Sequence, residues 1–314
     1  METLRMRARM MARIREFFQQ QGVMEVETPI CSRHATTDPS IHSLVTCYTG
    51  PGAPDGVPLY LHTSPEFPMK RLLAAGSGSI YQLCKVFRDG ESGRLHNPEF
   101  TLLEWYRPGF DHHRLMEEVE QLVQRVLPEP GPVRRISYRT LFEQLLGVDP
   151  HRATAGQLRQ LALQKGVPGI EQLDLPHRDA WLDLLMTHCI EPAMGAGLCF
   201  VYDYPASQAA LARVRPDDPP VAERFELYID GVEVANGFHE LADAAEQRRR
   251  FEQDLQARSN ANLPLPPMDE WLLEALARGL PDCAGVALGV DRLFMRSIGA
   301  DHIDRVIAFP LERA

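Results

Sequence analysis

The sequence predicts an α+β protein in which an antiparallel β-sheet is flanked by helices. Two runs read as paired strands. FRDGESGRLHNPEFTLLEWY, from Phe87 to Tyr106, joins two apolar segments through a polar, glycine-bearing loop. ERFELYIDGVEVANG alternates apolar and polar residues about Asp230-Gly231, a strong signal for a tight hairpin. Helices are announced by apolar residues at helical spacing, Met10, Met11, Ile14, Phe17 and Phe18 near the start and Val290, Leu293, Phe294 and Ile298 near the end. A length of 314 residues, 44% of them hydrophobic, fits one large domain spanning 1–314 with a mainly helical insertion at about 137–192.

Taken in order, a helix is expected from Glu2 to Gln21. Arginines at 5, 7, 9, 13 and 15 would suit a transit peptide, but the same segment carries a continuous apolar face leading into Pro29 and lacks an apolar signal region, so it reads as a folded helix. An extended stretch follows to Ile30, then an exposed Gly/Pro-rich loop from Thr49 to Pro58. A short strand at Tyr60–Thr63 enters TSPEFPMKRLLAAG, whose Met69–Ala75 portion is helical in pattern. After the Phe87–Tyr106 hairpin, a helix covers Arg114–Leu127, and His112-His113 at its start is expected to be solvated rather than a metal site. Pro128, Pro130 and Pro132 mark a linker, and the helical insertion packs on the sheet. Strands return after Cys199, with a second turn at Asn236-Gly237. A helix from Ala242 to Arg258, a proline-rich loop at Leu263–Pro267 and a helix at Met268–Ala277 precede GVALGVDR, Gly285 to Arg292, a small-residue strand with a helix beginning near Gly289.

Lys and Arg total 33 against 43 Asp and Glu, a formal charge of −10. That argues against a surface built for nonspecific nucleic-acid binding, which depends on neutralising phosphates, and suits a small basic substrate. No run approaches the roughly 20 apolar residues that cross a bilayer. The six cysteines, at 31, 47, 84, 189, 199 and 283, form no ligand-like cluster and read as buried thiols in a reducing cytosol.

Three features carry chemistry. Arg88 ends a strand, where a planar guanidinium can recognise phosphate through paired charge-assisted hydrogen bonds. A helix starting near Gly289 aims amide groups at an anion. Glu226 and Glu233, on paired strands, suit Mg²⁺ bound together with substrate phosphates, or else are charges that keep an edge strand soluble.

FR followed by HNPEFT resembles motif 2 of the class II aminoacyl-tRNA synthetases, most closely the lysyl branch. GVALGVDR resembles motif 3, and the first helix with VETPI resembles motif 1, a dimer-interface element. The resemblance implies the class II catalytic core, ATP as a substrate, Mg²⁺, and activation of a lysine-like acid as its adenylate. It implies that Arg88 holds the substrate carboxylate and α-phosphate, and that Arg292 and Phe100 sandwich adenine. Asp89, Gly90, Glu91, His96, Asn97, Leu227 and Gly289 join Glu226 in binding ATP, with metal on Glu226 and Glu233. Glu66 and Glu233 take the substrate's ammonium groups, Tyr106 caps its side chain, and Ser64, Pro65 and Ala287 complete the pocket. Where the family pattern is often FRNE, this chain has Asp89-Gly90-Glu91, so Glu91 is expected to supply the displaced carboxylate.

Because the chain opens directly on the motif 1-like helix, an anticodon-reading domain is not expected. The resemblance therefore implies the synthetase paralogues that modify elongation factor P, using (R)-β-lysine in preference to L-lysine, as cytoplasmic homodimers, with tRNA not the acceptor. Ser64 and Ala287 stand where lysyl-tRNA synthetases usually have alanine and glycine, and a methyl beside the substrate's amino end favours a displaced amine. The alternatives are a minimal lysyl-tRNA synthetase charging tRNA and a noncatalytic regulatory paralogue. Retention of Arg88, Arg292, Glu226 and Glu233 argues against the second.

Overall fold

The computed structural model describes residues 1–173, 175 and 177–314, which form two compact units, one of 1–110, 121–128 and 242–314, the other of 111–120 and 129–241. The first unit opens with α1 (Glu2–Gln20), which buries Met10, Ile14, Phe17 and Phe18 at the predicted spacing. A short strand β1 (Met24–Glu25) leads to β2 (Cys31–Ser32), β3 (Val45–Tyr48) and β4 (Val57–Leu61), a small sheet ordered β2-β4-β3 with the expected Gly/Pro-rich loop between β3 and β4. α2 (Glu66–Ala74) precedes the hairpin of β5 (Ile80–Phe87) and β6 (Glu99–Pro108), paired from Phe87 opposite Glu99 to Ile80 opposite Tyr106. β1 runs parallel to β5. Phe18 of α1 stacks on Tyr81 at 4.3 Å and meets Trp105 edge-on at 5.3 Å, so the helix is seated by aromatic burial.

α3 (His112–Val126) begins in the second unit, followed by β7 (Val133–Ser137), α4 (Tyr138–Leu146), α5 (Ala155–Gln164) and α6 (Arg178–Leu185). The segment expected to be helical is so, with residues 174 and 176 lying outside the described residues. Local sequence explains the helix ends. The Ser137 hydroxyl accepts from Thr140 N, Thr154 and Gln157 form a capping box, and Gly147 closes α4 at φ +70°. The strands β8 (Leu198–Pro205), β9 (Val214–Arg215), β10 (Val221–Ile229) and β11 (Val232–His239) complete this unit in the order β11-β10-β8-β7, with β9 on β10. Tyr138, Phe142, Trp181 and Leu185 form its core with Val201 and Tyr204 of β8, which is how the helices pack on the sheet.

Two expectations fail in this unit. Asn236-Gly237 makes no turn. Both lie within β11, opposite Glu226 and Phe225, because a partner strand is already in place to take their backbone groups. The actual turn is Asp230-Gly231, with φ +51° and +78° as a tight two-residue hairpin requires. His112 is not solvated: it is 1% exposed, covered by β8, β10 and β11, while His113 faces outward.

The first unit resumes with α7 (Ala244–Asn260), the proline-rich segment, α8 (Glu270–Gly279), β12 (Cys283–Gly289) and α9 (Val290–Ile298). β12 pairs antiparallel with β6, giving the order β1-β5-β6-β12. Asp291, the second residue of α9, is buried. Its Oδ2 accepts from Thr101 N at 2.6 Å, and its Oδ1 lies 2.6 Å from Arg7 Nη1, whose neighbouring Nη2 donates to Thr101 Oγ1 at 2.8 Å. The cysteines are reduced, but only Cys199 and Cys283 are buried. Cys31 and Cys47 are exposed because they sit on the small three-stranded sheet, away from the main core.

Asp291 is 2% exposed, so removing its partner strands a buried charge. Arg7→Ala is expected to cost about 3 to 5 kcal/mol in urea unfolding, whereas replacing Arg9, an exposed arginine two residues along the same helix, by alanine should change stability by about 0.5 kcal/mol or less. Equal effects of the two substitutions would remove the buried junction as a stabilising element.

Candidate active site

The hairpin of the first unit turns on a loop whose side chains are tied into one chain of contacts. Arg88 follows the last residue of β5, donates its backbone N–H to Pro98 O, and lays its guanidinium 5.2 Å from the centroid of Phe100. Its Nη1 is 3.5 Å from Glu91 Oε1, and Glu91 Oε2 is 4.0 Å from His96 Nε2. Arg292, the third residue of α9, donates from Nη2 to His96 Nε2 at 2.6 Å. Glu91 thus stands beside Arg88. Gly90, at φ +80°, makes the bend that carries Glu91 back over Arg88. Asp89 is held by its backbone N–H to His42 O. Gly289 is the N-cap of α9 and offers no side chain at the helix start.

For Arg292 to donate to His96 Nε2, that nitrogen must be unprotonated. Burial first, and the Arg292 charge second, lower the His96 pKa below its ordinary value. Asn97 is committed locally: Nδ2 donates to Glu99 O at 2.7 Å, and Oδ1 accepts from Leu311 N at 3.2 Å. It orders the loop against the chain end through both halves of its amide.

A second group lies along β6 and β12. Tyr106 OH donates to Glu104 Oε1 at 2.7 Å, and the ladder sets Ala287 directly opposite Glu104, with Gln82 on its other side. Cross-strand partners share a face, so the Ala287 methyl is on the Glu104–Tyr106 face. Pro65 is the N-cap of α2, the Ser64 hydroxyl accepts from Glu66 N at 3.1 Å, and Glu66 Oε1 accepts from Lys70 Nζ at 2.7 Å. Lys70 is 2% exposed, which makes Glu66 an already paired carboxylate.

In the second unit, Glu226 is the centre of a buried cluster. Tyr204 OH and Tyr228 OH donate to its Oε2 at 2.6 and 2.5 Å, and Arg224 pairs with its Oε1. Burial, then the Glu226 charge, push both phenols well above their ordinary pKa, so both remain donors. For Arg224, burial is the largest single influence and opposes the charged form, but the charge and hydrogen bond of Glu226, with Tyr204 and Glu233, together outweigh it and raise its pKa. The two-residue turn sets Ile229 opposite Val232 and therefore Glu233 opposite Tyr228, on the Glu226 face. A bulge at Val234 then brings Asn236 to that same face, where its Oδ1 accepts from Arg224 Nε at 3.2 Å. Leu227 is fully buried on the opposite face, so only its backbone can reach a ligand beside Glu226. Two carboxylate side chains on one hairpin face are a donor set that suits a hard divalent cation.

The family model of class II tRNA synthetases (D, K and N) matches residues 1–313. The chain belongs to that family. A protein of Vibrio atlanticus called elongation factor P–(R)-beta-lysine ligase is 51% identical over 312 residues, covering 99% of this chain and 96% of the relative. Proteins of the same name from Vibrio cholerae and Yersinia enterocolitica are each 52% identical, over 99% and 98% of this chain and 96% and 94% of theirs.

This class II chain thus carries the sequence-predicted residues in three groups: Arg88, Asp89, Gly90, Glu91, His96, Asn97, Phe100, Gly289 and Arg292 about the hairpin loop; Ser64, Pro65 and Glu66 at α2, with Tyr106 and Ala287 across β6 and β12; and Glu226, Leu227 and Glu233 on the second unit's hairpin. Sequence reasoning gave no role to Lys70, Glu104, Tyr204 or Arg224. The signal for Glu104 was a carboxylate inside an otherwise apolar strand. For Lys70 it was its position four residues after Glu66 on one helix face.

A pH effect follows from His96. Its unfolded-state value is the ordinary 6.5 and its folded value lies lower, so the unfolded chain takes up a proton first as pH falls through 6.5. Stability is expected to decline over that window until the folded histidine is also protonated. His96→Gln, which can still accept from Arg292, should show a shallower decline between pH 7 and 5 in urea titrations; identical slopes would show that His96 is not held neutral in the fold.

Proposed function

We propose that this class II enzyme activates (R)-β-lysine, and L-lysine more weakly, with ATP and transfers the acyl group to a lysine ε-amine of elongation factor P. The observation that carries this reading is 51–52% identity across 94–96% of the length of ligases bearing that name. An oxygen of the substrate carboxylate attacks the α-phosphorus of ATP, the bond to pyrophosphate breaks, and an acyl-adenylate forms. The ε-amine then attacks the acyl carbon, an amide forms, AMP leaves, and the amine gives up a proton.

In the first unit, Arg88 holds the substrate carboxylate and α-phosphate, with Glu91 fixing the guanidinium over Phe100 until ligand arrives. A donor placed in advance stabilises developing charge without reorganising. Phe100 and Arg292 take the two faces of adenine, and His96, kept neutral, positions Arg292. Tyr106 and Glu104 receive the substrate side chain and Glu66 an ammonium group, with Ser64 and Ala287 limiting the room at its amino end. In the second unit, Glu226 and Glu233 would hold Mg²⁺, which when bound neutralises triphosphate charge. Arg224, Tyr204 and Tyr228 fix the Glu226 carboxylate in orientation. We further infer a cytoplasmic homodimer paired through the α1 and β1 region, with tRNA not serving as acceptor.

The decisive assay offers Mg·ATP and radiolabelled (R)-β-lysine or L-lysine together with unmodified elongation factor P or total tRNA. Label is expected on the protein, most strongly with (R)-β-lysine; label on tRNA alone would overturn the acceptor assignment. Arg88→Ala should lower adenylate formation, followed by pyrophosphate exchange, by about 10²- to 10³-fold. Ala287→Gly should move the ratio of kcat/KM towards L-lysine by about 10- to 200-fold, the scale of one methyl in a pocket. An unchanged ratio would remove Ala287 from the specificity argument.

A further inference from the structure

On the hairpin of β10 and β11, Arg224 and Phe238 are cross-strand partners on the Glu226 face. The next residues along each strand, Glu223 and His239, face the opposite way, as alternation requires. His239 Nδ1 is 2.6 Å from Glu223 Oε2, and His112, at the start of α3, brings a ring nitrogen into the same cluster, with the ligating atoms of all three within 4.8 Å of one another. Asp203 of β8 adds a carboxylate whose Oδ1 is 3.5 Å from His112 Nε2, too long for a good hydrogen bond. Arg215 binds the far oxygens of both acids, Asp203 Oδ2 at 2.8 Å and Glu223 Oε1 at 3.3 Å, leaving each acid's other oxygen turned to a histidine.

The telling residue is His112. It is 1% exposed, yet neither Nδ1 nor Nε2 has a hydrogen-bond partner among the described residues, and Asp203 Oδ1 is buried in the same condition. Buried polar groups in native proteins are almost always satisfied, and leaving one unpaired is costly. Two imidazoles and a carboxylate are a donor set suited to Zn²⁺. Two acids against one arginine leave one negative charge, which favours a divalent cation. A ligating imidazole that addresses a carboxylate with its other nitrogen, as His112 can address Asp203, is the usual support for such a ligand. Tetrahedral coordination at about 2.0 Å separates donor atoms by about 3.3 Å, so the His239–Glu223 contact must open by less than an ångström.

We propose that His112, Glu223 and His239 form a transition-metal site of Zn²⁺ type, supported by Asp203, on the face of the hairpin opposite Glu226. Its role is structural: it fastens the first residue of α3 to the two strands that carry Glu226 and Glu233. It requires neither ATP nor an acceptor, and it stands whether or not the ligase reading does.

The test uses the full chain, freed of metal by dialysis against a chelator and titrated with Zn²⁺ in competition with a chelating dye. One Zn²⁺ per chain is expected, with stoichiometry unchanged in Glu226→Gln. His112→Asn and His239→Gln should abolish it, and Asp203→Asn should weaken it by about 10- to 100-fold. Zero stoichiometry, wild-type affinity in the folded histidine variants, or loss of the ion in Glu226→Gln would each overturn the proposal. Should the histidine variants fail to fold, Co²⁺ added to the wild-type protein decides: visible absorption bands of a four-coordinate nitrogen and oxygen site support the proposal, and their absence overturns it.

Discussion

The first unit depends on one buried junction. Arg7 of α1, Thr101 of β6 and Asp291 of α9 meet within hydrogen-bonding distance, and Asp291 is the residue immediately before Arg292. Asp291 takes the backbone N–H of Thr101, next to Phe100, so the ring and the guanidinium assigned to adenine are fixed relative to one another by a single carboxylate. A buried ion pair of this kind adds little net stability over an apolar replacement. Its value is in register, because a shift of α9 or β6 by one residue would leave the charge unpaired.

The same economy governs the second unit. Glu226 is 7% exposed, and an isolated carboxylate there would be strongly disfavoured. Arg224 balances its charge, while the Tyr204 and Tyr228 hydroxyls fix its orientation. The divalent cation proposed for this face would therefore meet a carboxylate whose direction is already set, and would share that carboxylate with Arg224. Glu233, better exposed, is placed opposite Tyr228 by the turn.

The elements with strong local signals were legible. The α1 face at Met10, Ile14, Phe17 and Phe18, the hairpin before Tyr106 and the Asp230-Gly231 turn each follow from periodicity or from a turn that accepts positive φ. The candidate site residues came from the resemblance to the family's motifs. What the sequence could not display was pairing at long range. Arg7 read as one of five arginines along the first helix until Asp291 was opposite it. Asn236-Gly237 carried turn chemistry that strand pairing overrode. His112 read as solvated because its covering residues, Asp203, Glu223 and His239, lie on strands far along the chain.

On the proposed assignment of Glu66 to a substrate ammonium, charge alone would not account for substrate selection. In the free protein it is paired with Lys70 at 2.7 Å, and Lys70 is nearly inaccessible to water. A substrate ammonium bound there would join an existing ion pair rather than fill a bare carboxylate, and the gain over water would be correspondingly reduced, since Lys70 already satisfies part of the acid's demand. Any lysine-like compound presents such an ammonium, so this contact separates lysines from other acids better than it separates one lysine from another. On the same proposal the finer choice would fall to shape, where Ala287 projects a methyl across from Glu104 and beside Tyr106. Methyl-sized differences are worth about 1 to 3 kcal/mol, enough to favour one amine position over another while still admitting both.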